Sequence, residues 1–143
     1  MILQSIVLQS HHYAFAIRQS VKDRLVVYPS GRVELSRVYQ NGSTSKMAWY
    51  IGKKGFMLME QFANQIGFEK LERNYIPRSK RKRLTGERNA EFTSVYRLRC
   101  NTQDDLTKVV MFLSYPGIAP QELLDLLQLI EDLSEVRKYV THY

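Results

Sequence analysis

The chain has a single cysteine, Cys100, among 143 residues. That excludes an internal disulfide and every multi-cysteine metal motif, and a lone thiol without a disulfide framework points to a reducing compartment. No apolar run approaches the ~18 residues of a membrane-spanning helix. Residues 1–10 have no basic leader, long apolar core or small-residue cleavage site, so a cytoplasmic protein is expected. Histidine is scarce too. His11 and His12 are adjacent and His142 lies far away; neighbours on a strand face opposite ways, which suits surface histidines better than a shared metal. No serine has nucleophile-elbow spacing. Gly52-Lys53-Lys54-Gly55 matches neither the nucleotide-binding glycine loop nor the dinucleotide fingerprint and reads as a plain turn. The carboxylate pairs Asp104-Asp105 and Glu131-Asp132 read as turn and helix-surface residues. No catalytic residue, metal site or cofactor is expected, and the chain does not read as an enzyme.

Cationic charge is what the chain has in excess. Lys and Arg number 21 against 14 Asp and Glu, a formal net charge of +7. The stretch 73–88 holds seven of the basic residues and one Glu, hence +6 of that total. Pro77, Gly86 and the density of like charge predict an exposed loop, because such a run repels itself and stays solvated. Outside it the chain is close to neutral.

The rest reads as one domain over 1–143. Ile2–Gln9 and Tyr13–Ile17 are predicted strands, with a turn at Lys22-Asp23, a strand at Leu25–Tyr28 and a turn at Pro29-Ser30-Gly31. Arg32–Tyr39 follows, with Val33 and Leu35 on one face and Arg32, Glu34 and Ser36 on the other. Asn41-Gly42 predicts a tight hairpin into Lys46–Ile51. From Phe56 to Ile66 the apolar period becomes helical, closing at Gly67. After the basic stretch, Phe92–Cys100 is a strand on which Tyr96, Leu98 and Cys100 oppose Arg97 and Arg99, and Leu106–Tyr115 is another. Pro120 opens a leucine-striped helix to Leu133. This order predicts an α+β fold: an antiparallel sheet with two helices packed on one face and a long basic loop. Trp49 and Cys100 belong to the expected core.

Within this order, Tyr28-Pro29-Ser30-Gly31-Arg32-Val33, the helix closing in Gly67-Phe68, the strand bearing Tyr96-Arg97-Leu98 and the Pro120–Leu133 helix form a pattern. Over roughly Leu25 to Leu133 it resembles the module of the emfourin-type protease inhibitors and related small bacterial domains. The resemblance implies a non-catalytic, protein-binding module. The chain departs from it in its long basic loop and in the strands that precede the module.

The basic stretch carries the functional reading. Arg73, Arg78, Lys80, Arg81, Lys82, Arg83 and Arg88 form an anion-binding arm that contacts phosphates by charge rather than by sequence. Tyr75 is placed to stack on an unpaired base. Arg97, Arg99 and Lys108 extend the patch if their faces lie beside the loop. The expected partner is nucleic acid, DNA or RNA, with the chain acting as an accessory or regulatory protein. The alternative is an acidic protein that the chain binds as a regulator or inhibitor. The helix 120–135 bears five acidic residues and no basic one, so a homodimer joining basic loop to acidic helix is a further expectation.

Overall fold

The computed structural model describes residues 1–14, 19–76, 93–104, 107–114 and 117–139. Six strands, β1 (Leu3–Ala14), β2 (Gln19–Val27), β3 (Arg32–Tyr39), β4 (Thr44–Tyr50), β5 (Thr93–Thr102) and β6 (Thr107–Leu113), form one sheet in the order β4-β3-β2-β1-β5-β6. Every neighbouring pair of strands is antiparallel. Helix α1 (Lys53–Gln65) follows β4, and α2 (Gln121–Ser134) follows β6. The architecture is the expected α+β one. Most of the basic loop lies outside the described residues.

Both helices cover the same face. Phe56, Met59 and Ala63 of α1 and Leu123, Leu126, Leu127 and Ile130 of α2 bury against Ile6, Leu8, Leu25, Val27, Val33, Leu35, Leu98, Cys100, Val110 and Phe112 of the sheet. Their alternation on each strand and their i, i+3, i+4, i+7 spacing on the helices generate one apolar layer. A register shift between Leu3 and Ser5 lets Leu3 join Ile6 on that face, an odd spacing that a regular strand forbids. Trp49 is buried and its indole N–H donates to the Ser134 carbonyl at 2.7 Å. Local chemistry sets the punctuation. Gly42 at φ +84° closes the β3–β4 hairpin, and Gly67 at φ +69° ends α1, both in the left-handed region open to glycine.

One expectation fails in detail. The strand predicted at Ile2–Gln9 runs on through Tyr13 and Ala14 as a single β1, the rest of the predicted Tyr13–Ile17 strand lies outside the described residues, and Lys22-Asp23 is mid-strand in β2, not a turn. Asp23 looks like a turn residue in isolation, but here it is a buried ion-pair partner. Arg37, opposite it on β3, donates from Nε to Oδ1 at 2.7 Å and from Nη2 to Oδ2 at 2.9 Å. The bidentate pair satisfies both charges at a buried mid-strand position.

Candidate functional site

Among the described residues both helices lie on one face of the sheet. On the other, helix-free face, where Val7, Val26 and Leu113 are nonetheless buried, antiparallel pairing lines the side chains up in rows across the strands. One row runs Lys46, Ser36, Arg24, Gln9, Arg97, Met111; the next runs Thr44, Val38, Lys22, His11, Val95, Leu113. On the other flank of the first row, Arg99 pairs with Val7. Lys46, Arg24, Arg97, Lys22 and Arg99 therefore share one surface, brought together from β4, β2 and β5. Among the described strand residues on this face the one acid is Glu34. Arg32 holds it, Nε to Oε1, at 3.0 Å. The face is strongly cationic.

A shallow depression of about 530 Å³ sits in these rows, walled by Gln9, His11, Lys22, Arg24, Arg97 and Met111 among others. Arg24, Lys22 and Arg97 are exposed, and Arg97 Nη2 lies 3.6 Å from the Met111 sulfur. Arg99 Nε is buried with no hydrogen-bond partner among the described residues. Burial, and secondly the charge of Lys22, lower the pKa of His11 below 6.5; both effects disfavour a further cation on this face.

Of the residues predicted from sequence, Arg97 and Arg99 fall on this face. Arg73 is exposed at its border: its carbonyl accepts the Met111 N–H, and Tyr75 N–H donates to the Met111 carbonyl, each at 2.9 Å. These bonds seat Asn74 parallel to Met111 on the outer edge of β6. Tyr75 is half-buried against the core, and its hydroxyl accepts the Glu72 N–H at 2.9 Å. Lys108 stands opposite Cys100, on the helix-covered side, and does not extend the patch. Arg78, Lys80, Arg81, Lys82, Arg83 and Arg88 lie outside the described residues. Lys22, Arg24, Lys46 and His11 escaped sequence reading. Their spacing along the chain carries no signal until the strand register is known.

The helix-covered face holds a second polar group at the end of the apolar core. His12 is buried, where a surface histidine was expected. Its Nδ1 lies 2.7 Å from Ser94 Oγ and its Nε2 3.7 Å from Asp23 Oδ2. A cavity of about 320 Å³ opens beside it, bounded by Tyr96, Leu127, Glu131 and Arg137 among others. The order Ser–His–Asp has the composition of a nucleophile chain. However, 3.7 Å exceeds a hydrogen bond, and the Asp23 carboxylate is already held by two bonds from Arg37. A carboxylate so engaged is poorly placed to orient an imidazole. Burial, and then the Glu131 charge, push the Tyr96 phenol up to about 12, so it stays protonated. Burial likewise pushes the Cys100 thiol up to about 12, the setting of an inert packing residue.

On α2 and its C-cap Glu135, three of the five predicted acids have cationic neighbours within the chain. Arg137 reaches Glu131 at 3.4 Å and Asp132 at 3.5 Å, and Lys138 reaches Glu135 at 3.2 Å. Among the described residues no three His, Cys, Asp or Glu side chains converge on a metal position. No described helix is long and apolar enough to cross a membrane. No family model and no curated protein matches this chain.

Proposed function

We propose that this protein is a non-enzymatic nucleic-acid-binding accessory or regulatory protein whose helix-free sheet face holds phosphates. The observation that carries the reading is the cationic face: Lys46, Arg24 and Arg97 in one cross-strand row, flanked by Lys22 and Arg99, with its one described acid already neutralised. Strands lie ~4.8 Å apart, so the row spreads its three charges over roughly 19 Å. That is the scale of several backbone phosphates, at one per ~1.7 Å of duplex axis.

The basic stretch joins this surface through its charge. Asn74 lies beside Met111 and Val95 beside Leu113, so the described residues on either side of the stretch stand at one end of the sheet. Arg78, Lys80, Arg81, Lys82, Arg83 and Arg88, which lie outside the described residues, add positive charge to the same polyanion in this reading. Such contacts position a nucleic acid without reading its bases.

The test is fluorescence anisotropy with labelled single- and double-stranded DNA and RNA, comparing the native chain with Arg24→Gln/Arg97→Gln/Arg99→Gln. The variant is expected to lose at least tenfold in affinity on every sequence at low salt, since several charge-assisted contacts go together. Unchanged binding by the variant would remove the sheet face from the reading. No binding by either protein would favour an acidic protein partner instead.

A further inference from the structure

The two outer edges of the sheet differ. On β6 the edge is occupied by Arg73–Tyr75, through the two bonds to Met111. On β4 the one neighbour among the described residues is β3. Natural edge strands are guarded by proline, inward charge or a covering segment; β4 has a single Lys and no Pro. Exposed apolar groups gather around it. Val38, Tyr39, Met47 and Tyr50 are each between 39% and 68% exposed, and Tyr139, 41% exposed, stacks on Trp49 at 4.2 Å between ring centres. They divide between the two sides of the strand, Val38 and Tyr50 on the helix-free face and Tyr39, Met47 and Tyr139 on the helix side, so exposed apolar groups flank the edge on both faces.

The backbone phase of the edge is fixed. Ile51 N–H donates to the Gly31 carbonyl and Tyr39 N–H to the Ser43 carbonyl. In the register that pairs Arg32 with Tyr50, residues 45, 47 and 49 therefore bond to β3. Thr44, Lys46, Ala48 and Tyr50 direct their N–H and C=O groups outward. Two-fold antiparallel pairing with a second copy must set outward residues against outward residues, which leaves Lys46, Met47 or Ala48 as the centre. Centring on Lys46 sets two ammonium groups directly opposite, which is destabilising. Centring on Ala48 leaves Thr44 and Ser45 unpaired. Centring on Met47 uses the whole strand: Thr44 faces Tyr50, Lys46 faces Ala48, and Met47 meets its own copy at a non-hydrogen-bonded position, where side chains are closest.

We propose that β4 is a homodimer interface, pairing antiparallel with β4 of a second copy about Met47 to make one continuous sheet. The two helix-free faces then form a single surface on one side of it. This rests on the edge geometry alone and holds whether or not that surface binds nucleic acid.

The test is sedimentation equilibrium of the full chain without nucleic acid, over a concentration series reaching the high micromolar range. The native chain is expected to be dimeric at the upper end. Ala48→Pro removes an outward N–H and spares the bonds to β3, so it is expected to be monomeric with an unchanged circular dichroism spectrum. Met47→Cys is expected to form a disulfide-linked dimer on mild oxidation, because facing Cα atoms in such a pair lie within disulfide reach. Cys100 is buried and will not compete. A native chain that stays monomeric throughout, with Met47→Cys failing to cross-link, would overturn the proposal. So would Ala48→Cys cross-linking faster than Met47→Cys, which would place the centre elsewhere.

Discussion

His11 shows how one residue reports on the whole helix-free face. It sits in the depression beside Lys22, and burial and then that lysine hold its pKa below 6.5. In the unfolded chain the imidazole takes a proton as pH falls through 6.5, while the folded chain resists. The unfolded state then binds more protons, so His11's contribution to stability is full above 6.5 and declines as pH falls toward the folded pKa. A phosphate bound among Lys22, Arg24 and Arg97 supplies the missing negative charge and reverses the second cause. Titration of the His11 imidazole by NMR, free and with a saturating oligonucleotide, is expected to show a higher pKa in the complex. An unmoved His11 in a chain that does bind would place the phosphates elsewhere.

At the level of elements, the tightest constraint is where the β2–β3 turn meets the start of α1. Gly31 has φ +87°, and a Cβ there would lie 2.4 Å from the carbonyl carbon and oxygen of Gly52. Its own carbonyl accepts the Ile51 N–H at 2.8 Å, so the two backbones are tied where they touch. Gly42 has a similar φ of +84° with open space around it. Gly42→Ala is expected to cost about 1–2 kcal/mol, the left-handed penalty alone. Gly31→Ala is expected to cost clearly more, since backbone must shift as well; urea unfolding midpoints of the two variants would separate them, and equal midpoints would deny the close approach. These two positions also show what was legible beforehand. Pro29-Ser30-Gly31, Asn41-Gly42 and Gly67 announce turns through local backbone chemistry, and the apolar periods of α1 and α2 announce which faces are buried. Asp23 and His12 misled because the groups that bury them, Arg37 and Ser94, lie 14 and 82 residues away. Lys46, Arg24 and Arg97 form a row solely through strand register, which no stretch of the chain displays by itself.

For the whole molecule, the question is how a formal charge of +7 is distributed. The stretch 73–88 accounts for +6 of it, which makes the folded remainder look nearly neutral. The fold undoes that neutrality by sorting. The helix-free face gathers five cations beyond the Arg32–Glu34 pair, and acids such as Glu122, Asp125, Glu131 and Asp132 are carried by α2 on the other side of the sheet. A polyanion approaching the helix-free face therefore meets an attractive field well before contact. If face and stretch hold one nucleic acid together, each contributes its own share of counterion release. The dependence of log affinity on log salt then has a slope set by the total, about 0.9 per phosphate contact on duplex DNA. Neutralising Arg24, Arg97 and Arg99 is expected to flatten that slope, neutralising Lys80, Arg81, Lys82 and Arg83 to flatten it separately, and the combined variant to show both reductions. Equal slopes for the native chain and the face variant, with the loss confined to the stretch variant, would mean that the sorted charge of the sheet steers the encounter without gripping the ligand.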